Sequence, residues 1–163
     1  IQAVEALLTD AQNDMRVLLL HLRPTELENK TLQEGLQMIL KELTDKSNIR
    51  VVYKDMVKKV PKRIEDNLFR IAQEFISNTL KHAKASQIEV YLYQNSQEIQ
   101  LKMLDNGVGF DLNASTDEMS YGLKNIQERV DEMAGTVQFL SAKGKGTSID
   151  VRVPILRGED NVE

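Results

Sequence analysis

The sequence predicts a two-layer α+β fold in which helices cover one face of a largely antiparallel or mixed sheet. Several segments repeat apolar residues every three or four positions, as amphipathic helices do. Two neighbouring segments near the middle alternate between apolar and other residues, and a further strand pair closes the chain around a glycine-containing turn. With 163 residues, the chain is long enough for one globular domain preceded by a long helix.

The N-terminal segment predicts a long helix with an apolar seam. The seam residues are spaced in steps of three and four: Ile1, Val4, Leu8, Ala11, Met15, Leu18 and Leu22. Such a seam needs a partner, in a bundle or a dimer. Arg23-Pro24 ends the pattern, because the residue before proline disfavours the helical region. Since the chain starts within the pattern and without Met, we expect a piece of a longer protein.

The next segments predict two helices with a strand between them. Thr31 and Glu34 have the spacing of a capping box, which places a helix start there. Residues 49–53 are typical of a strand, and Pro61 begins a helix that we expect to run to about Ala83. The apolar face of this second helix comprises Ile64, Leu68, Ile71, Ala72, Phe75 and Leu80.

The remaining elements complete the predicted sheet. Residues 88–92 and 99–103 alternate as strands, and the second strand leads into Asp105. Residues 111–121 are polar and without periodicity, which predicts a mobile loop. A helix then ends at Gly135 as its C-cap, and strands at 137–140 and 149–153 form a closing hairpin. The acidic residues 158–163 are predicted to be a disordered tail.

Composition excludes several classes of protein. The chain has no Cys, so disulfides, cysteine metal sites and thiol nucleophiles are absent. The net charge of −4 gives no general basic field for nucleic acid. No apolar run approaches membrane-spanning length, and no signal peptide is visible.

The stretch LDNGVGFD, residues 104–111, is the first candidate site. Gly107 and Gly109 occupy positions where a calcium-binding loop needs oxygen ligands. Leu112 stands where a dinucleotide fingerprint needs a third glycine, and no phosphate-binding G-x-x-x-x-G-K-[ST] motif occurs. Two interpretations remain: a simple Asn-Gly turn, or a buried carboxylate beside glycines that let the backbone approach a ligand.

The helix before it carries a second candidate site, in RIAQEFISNTLKHA at residues 70–83. Glu74, Asn78 and Lys81 fall at i, i+4 and i+7 and share one helix face. Asn is a poor helix former, so its presence in mid-helix calls for a reason. A neutral oxygen ligand for Mg²⁺ is one such reason, and an ordinary solvated face is the alternative.

Four motifs in order make the pattern specific: QEFISNTLKHA, DNGVGF, YGLKNIQERV and GKGTSIDVRVP. Together they resemble the ATP-binding domain of bacterial sensor histidine kinases, the Bergerat fold shared with gyrase, Hsp90 and MutL ATPases. The resemblance covers about residues 28–156 and identifies these motifs as the N box and three glycine boxes. The short lid is similar to that of the Gram-positive cell-envelope stress sensors.

The resemblance implies how one end of an ATP site is formed. Asp105 is expected to accept a hydrogen bond from the adenine amino group. Gly107 and Gly109 are expected to let the backbone pass the base and begin a lid over residues 108–122. Thr147 is expected to close the adenine end through its hydroxyl or a bound water. Gly146 and Leu123 join the nucleotide site through their glycine boxes.

The resemblance also implies roles for residues around the phosphates. Asn78 is expected to ligate the Mg²⁺ that bridges them, and Lys81 and His82 to meet phosphate oxygens. Gly122, expected at the start of a helix, would offer backbone donors to phosphate. Glu74 is the catalytic candidate; because water is the wrong nucleophile in a kinase, it would polarise the acceptor or orient the metal ligands.

Two departures from the family pattern concern the lid and the acceptor. Ser120 occupies a position that is usually glycine in the second glycine box, so this departure concerns the lid and the phosphates rather than the base. His21 is followed by Leu22 where an acceptor histidine is followed by an acidic residue, so we expect it not to be the acceptor. Residues 1–24 then resemble the second helix of a dimerisation hairpin, followed by an ATP-binding domain at 25–157.

The function implied is the catalytic domain of a two-component sensor histidine kinase. The whole protein is expected to bind ATP and Mg²⁺, phosphorylate a histidine on an absent hairpin helix, and pass the phosphoryl group to a response regulator with a helix-turn-helix output domain. It is expected to be a membrane-anchored homodimer with this domain in the cytoplasm, without nucleic acid as partner and without autophosphorylation by this chain alone. The alternatives are a serine kinase of the anti-sigma-factor type and a non-catalytic nucleotide-binding module.

Overall fold

The computed structural model describes residues 1–8, 29–113 and 117–156. A short helix, α1, covers residues 2–8. The other elements are α2 (Leu32–Lys46), β1 (Arg50–Met56), α3 (Lys62–Asn78), a π-helical turn (Thr79–Ala83), β2 (Gln87–Gln94), β3 (Glu98–Asp105), α4 (Asp117–Glu132), β4 (Thr136–Ser141) and β5 (Thr147–Pro154). The rest of the predicted N-terminal helix, including His21, and the predicted acidic tail lie outside the described residues.

The sheet is mixed, which confirms the predicted fold class. Its five strands follow the order β1-β2-β3-β5-β4. Strand β1 runs parallel to β2, and all the other neighbouring pairs are antiparallel. A parallel pair needs a crossover connection, which α3 provides between β1 and β2. No helix within the described ranges is long and apolar enough to cross a membrane.

One core joins the helices to one face of the sheet. The alternating residues that the sequence singles out on three central strands are almost completely buried: Ile88, Val90, Leu92, Ile99, Leu101, Met103, Ile149, Val151 and Val153. They share a cluster with the apolar faces of α2, α3 and α4. The residues between them on β2 and β3 are mostly half-buried, so the second face of the sheet is more open. The two-layer prediction is therefore confirmed.

The start of α2 confirms the predicted capping box. The Glu34 N–H donates to Thr31 Oγ1 at 3.2 Å, and the Thr31 N–H donates to Glu34 Oε2 at 2.8 Å. The Leu32 N–H donates to Glu65 Oε2 of α3 at 3.1 Å. Three of the N–H groups that a helix start leaves without intrahelical partners are thus satisfied, one of them by the neighbouring helix.

The helix predicted from Pro61 to about Ala83 has the expected length but changes character near its end. Regular α-helix stops at Asn78, and the last five residues, Thr79–Ala83, form a π-helical turn. Lys84 then closes the turn with a left-handed conformation, at φ 48°. Such turns are often found at functional sites, because the extra residue shifts the side chains that follow.

The loop predicted at residues 111–121 is wrong in its second half. Helix α4 already begins at Asp117, so residues 117–121 are helical. Its first turn carries Asp117 and Glu118, whose negative charges are stabilised by the positive end of the helix dipole. The same turn buries Met119. A single buried residue in a polar turn gives no apolar periodicity. Residues 114–116 of the predicted loop and lid lie outside the described residues.

The end of α4 refines the predicted C-cap at Gly135. The left-handed residue is Ala134, at φ 54°, rather than the glycine. The Gly135 N–H donates to Val130 O at 3.0 Å and the Ala134 N–H to Asp131 O at 3.0 Å, which is a Schellman pattern. A Cβ on Gly135 would lie 2.5 Å from Arg152 O. Gly135 is therefore required by close packing against β5.

Candidate functional site

Asp105 is the last residue of β3 and lies between two neighbouring strands. Its register partners are Ile88 on β2 and Thr147 on β5. The residue is only 8% exposed. Oδ1 accepts from the Gly107 N–H at 2.9 Å and from the Thr147 N–H at 3.2 Å, while Oδ2 accepts from the Thr79 hydroxyl at 3.1 Å. Three donors from three parts of the chain fix this carboxylate.

The residues after Asp105 form a tight connection to the end of the π-helical turn. The Val108 N–H donates to Ala83 O at 2.7 Å, and a Cβ on Gly107 would lie 2.3 Å from that same oxygen. Asn106 Oδ1 accepts from the N–H groups of Ser86 and Gln87, both at 2.9 Å. The Asn106-Gly107 pair therefore forms a turn. This turn holds Asp105 at the edge of a cavity.

Gly109 and Gly146 approach backbone atoms equally closely. Gly109, at φ +63°, would place a Cβ 2.0 Å from Ala142 O. Gly146, at φ +72°, would place one 2.1 Å from Asp105 O. Both the positive φ and the lack of space require glycine here. The first and third glycine boxes are therefore packed against each other through the backbone.

Ser141 joins these two glycine boxes and was not identified from the sequence. Its Oγ accepts from the Phe110 N–H at 2.9 Å and donates to Gly146 O at 3.1 Å. It also lies 2.9 Å from Thr147 Oγ1. The serine is an unremarkable residue at the end of β4, and its partners are distant in sequence, so periodicity and motif spacing cannot identify it.

A cavity of about 250 Å³ opens beside Asp105. Its lining is mainly apolar and comprises Phe75, Asn78, Thr79, His82, Ala83, Asp105, Gly109, Phe110, Met119, Leu123, Ile126, Thr147 and Ile149. Six of the predicted site residues are therefore together: Asn78, His82, Asp105, Gly109, Leu123 and Thr147. An apolar cleft with a few convergent polar groups is the usual form of a small-molecule site.

A second, more polar cavity of about 480 Å³ adjoins the first. Glu74, Asn78 and Lys81 line it, as their common helix face predicts. Asn78 and Ile126 line both cavities, so the two volumes meet at these residues. We call the two neighbouring cavities the cleft; the first is mainly apolar, and charged side chains line the second.

Gly122 lies in the second turn of α4, so the prediction that it starts a helix is wrong. Because the first turn of α4 is polar, the sequence pattern did not indicate that the helix already includes Asp117. Gly122 instead faces the two predicted site residues of α3. A Cβ there would lie 2.5 Å from Glu74 Oε1 and 3.2 Å from Asn78 Nδ2. The glycine lets α4 approach the polar face of α3.

The charged end of the cleft is joined to α4 by an ion pair. Lys81 Nζ donates to Glu118 Oε1 at 2.7 Å, and His82 Nε2 lies 4.0 Å from Glu118 Oε2. The hydrogen bond from Lys81 and its positive charge lower the pKa of Glu118, with a smaller contribution from His82. One carboxylate thus lies beside the two side chains predicted to bind phosphate.

The donor set here is compatible with a hard cation that takes few protein ligands. The Glu74 carboxylate and Asn78 amide are one helical turn apart and both lie within 3.5 Å of the Cβ position on Gly122. The described part of the chain contains no group of three or more His, Cys, Asp or Glu residues able to hold a metal alone. Mg²⁺ normally completes its shell with water and substrate phosphates, so the residues fit that ion.

Comparison with protein families gives a match over more than half of the chain. The family described as histidine kinase-, DNA gyrase B-, and HSP90-like ATPase matches residues 63–157. This range contains every site residue discussed above.

Curated relatives match over almost the whole chain. The sensor histidine kinase LiaS of Bacillus subtilis is 43% identical over 159 residues, which are 98% of this chain and 44% of LiaS. The sensor protein VraS of Staphylococcus aureus strain COL is 42% identical over 163 residues, which are 100% of this chain and 46% of VraS. The chain thus spans about half the length of these relatives.

A solved structure shares the fold. The histidine kinase domain of the blue-light-activated histidine kinase of Erythrobacter litoralis EL346 has a TM-score of 0.62 over 80% of this chain and 64% of that domain. Its sequence identity is 17%, so the likeness concerns the fold alone.

Proposed function

Because the chain belongs to the histidine kinase-, DNA gyrase B- and HSP90-like ATPase family, we propose that it presents MgATP as the catalytic domain of a two-component sensor histidine kinase. The observation that carries the proposal is the buried Asp105 carboxylate. It is held by three donors at the wall of an otherwise mainly apolar cavity. An acceptor so fixed is suited to the exocyclic amino group of adenine.

The nucleotide is proposed to lie along the cleft with its base in the first cavity. We call Asp105, Thr79, Thr147, Gly109 and Gly146 the base end. Phe75, Phe110 and Ile126 contribute apolar surface against a purine ring. The carboxylate attracts a 6-amino group and repels the 6-oxo group of guanine. Gly107, Gly109 and Gly146 act here by bringing backbone segments together around Asp105.

The phosphates are proposed to continue into the second cavity. We call Glu74, Asn78, Lys81 and Glu118 of the second cavity, together with His82 of the first cavity, the phosphate end. Lys81 and His82 are placed to meet phosphate oxygens, and Asn78 with Glu74 to hold the metal. Bound Mg²⁺ would neutralise phosphate charge. Catalysis of phosphoryl transfer depends mainly on such positioning and neutralisation, so the chain's own task is to hold the γ-phosphate in place.

We extend this proposal from the chain to the activity of the whole protein. Glu74 lines the second cavity, where it can orient a metal shell or polarise an acceptor nitrogen. We propose that residues 1–24 belong to a dimerisation hairpin, residues 25–157 to the ATP-binding domain and residues 158–163 to a tail. The proposed partners are a second copy of the protein and a response regulator with a helix-turn-helix output domain. We propose a membrane anchor elsewhere in the protein, with this domain in the cytoplasm.

The relatives favour this proposal over a serine kinase of the anti-sigma-factor type. VraS, a sensor protein by name, matches residues throughout the chain, including the N-terminal segment with its apolar seam. An anti-sigma-factor kinase begins with the ATP-binding domain itself and has no such segment. Phosphotransfer to a separately supplied acceptor hairpin would separate the kinase from a non-catalytic nucleotide-binding module.

Calorimetric titration with ATP and GTP, in Mg²⁺, tests the base assignment. A hydrogen bond to a charged group contributes about 1.5 to 3 kcal/mol, so we expect ATP to bind about ten to a hundred times more tightly. Asp105→Asn should weaken ATP binding by a similar factor and reduce this preference. Equal affinities for ATP and GTP in the wild type would remove Asp105 from the proposed role.

A further inference from the structure

Thr79 is a buried polar residue within an apolar helix face. It lies four positions after Phe75 and seven after Ala72, both of which are buried in the core. Thr79 itself is 2% exposed and lines the first cavity. A hydroxyl at such a position costs free energy unless it is hydrogen-bonded. Its partner, Asp105, is 26 residues away in sequence.

The hydrogen bonds of Asp105 distinguish its two oxygens. A carboxylate has about four acceptor positions, two on each oxygen. Oδ1 uses two of them for the Gly107 and Thr147 N–H groups. Oδ2 uses one for the Thr79 hydroxyl, at 3.1 Å. Among the hydrogen bonds of the described residues, one acceptor position therefore remains, and it belongs to Oδ2.

We propose that Thr79 is a positioning residue that turns Asp105 Oδ2 towards the adenine 6-amino group and so sets the preference for 6-aminopurines. The inference rests on the proposed function, because it assumes that Asp105 meets the base. The last side-chain torsion of an aspartate is broad and weakly restrained. A donor on Oδ2, in addition to those on Oδ1, narrows the range of angles that this torsion can adopt. It leaves Oδ2 a single direction for a further hydrogen bond.

The local backbone places Thr79 for this task. Thr79 is the first residue of the π-helical turn, directly after Asn78. The same short segment therefore contains Asn78, a proposed metal ligand, and Thr79, which orients Asp105, the proposed base contact. Thr79 is expected to act only through Asp105, so its effect should depend on the 6-amino group of the nucleotide.

Two substitutions distinguish the contribution of the Thr79 hydroxyl from that of its methyl group. Thr79→Val keeps the branched shape and removes the donor, whereas Thr79→Ser keeps the donor and removes the methyl group. A purely structural role would make both variants alter stability without changing nucleotide preference. Thr44→Val is a matched control, because Thr44 Oγ1 donates to Leu40 O at 3.0 Å within α2 and lines neither cavity.

The experiment is calorimetric titration of the four proteins with ADP and with purine riboside diphosphate, which lacks the 6-amino group. We expect the wild type and Thr44→Val to prefer ADP by at least about tenfold. Thr79→Val should lose about three- to tenfold in ADP affinity and less than about twofold in affinity for the analogue. Thr79→Ser should keep most of the preference for ADP.

The outcomes distinguish failure of this inference from failure of the proposed function. If the wild type binds both nucleotides equally, the contact of Asp105 with the amino group is wrong, and the role of Thr79 is wrong with it. If the wild type prefers ADP but Thr79→Val loses equal affinity for both, only the inference about Thr79 is overturned. A Thr79→Ser variant that loses its preference for ADP would also overturn it.

Discussion

At the base end of the cleft, Asp105 is 8% exposed and accepts hydrogen bonds from two backbone N–H groups and a buried hydroxyl. At the phosphate end, Lys81 contacts Glu118, whose side chain is 60% exposed. The first arrangement is built by the strand register and shielded from water. The second depends on one side-chain pair, of a kind that usually contributes less than about 1 kcal/mol.

The glycines differ between the two ends in the same way. Gly109 and Gly146 face carbonyl oxygens of the backbone, so an added Cβ could be accommodated only by moving strands or loops. Gly122 faces the side chains of Glu74 and Asn78, which can rotate away. The base end is therefore fixed by the fold, whereas the side chains of the phosphate end are free to rotate.

The largest expected effect is at Gly146. Gly146→Ala combines a left-handed backbone with a Cβ 2.1 Å from Asp105 O, so we expect a loss of about 2 to 4 kcal/mol in unfolding free energy. Gly144→Ala is the control, because Gly144 has φ +78° but its Cβ would meet no atom within 4 Å. It should cost only about 1 to 2 kcal/mol. Urea unfolding measures both, and equal losses would contradict the close packing.

Asn78→Ala should have an intermediate effect that depends on the metal. We expect about tenfold weaker binding of ATP in Mg²⁺ and nearly unchanged binding of ADP in EDTA, because the amide is proposed to act through the ion. Isothermal titration in the two buffers provides the comparison. An equal loss in both would make Asn78 a structural residue of the α3–α4 contact.

Glu118→Gln should strengthen nucleotide binding by about two- to fivefold. In the proposed site, nucleotide phosphates compete with Glu118 for Lys81, and an exposed ion pair contributes at most about 1 kcal/mol. Glu128→Gln is the control on the same helix, since Glu128 pairs with Lys124 outside the cleft. The gain should shrink at high salt. Weaker binding by Glu118→Gln would mean that Glu118 supports the nucleotide.

The smallest effect is expected from Gly122→Ala. Alanine stabilises a helix interior by about 1 kcal/mol relative to glycine, and displacement of the Glu74 side chain should offset this gain. The unfolding free energy should therefore stay within about 1 kcal/mol of the wild type. A loss above about 2 kcal/mol in urea unfolding would show that Glu74 is held as rigidly as the backbone around Asp105.

The sequence allowed much of the fold to be predicted, because alternation and capping are local signals. Thr31 with Glu34 located the start of α2, and the alternating residues of β2 and β3 located the core face of the sheet. The start of α4 was mistaken because its first turn buries only Met119. The π-helical turn was missed because its hydrogen-bond pattern leaves no periodic signature over five residues.

The site could be predicted less completely than the fold. Asp105 was identifiable because a carboxylate directly follows an apolar strand, and Asn78 because it is a poor helix former within a helix. Thr79 and Ser141 were missed, although a threonine that continues the apolar face of α3 was a usable signal for the first. Ser141 acts through bonds to Phe110 and Gly146, whose proximity becomes visible only once the glycine boxes are packed.

The bond from the Thr147 N–H to Asp105 spans 42 residues. During synthesis the ribosome therefore releases the N box, and then Asp105, well before the strand that completes the binding site. Until β5 pairs with β3, the Asp105 carboxylate lacks one backbone donor and the first cavity lacks the wall formed by Thr147 and Ile149. A nascent chain thus acquires nucleotide affinity only after its last strand has emerged, so nucleotide can stabilise the finished domain but cannot guide the folding of its earlier parts.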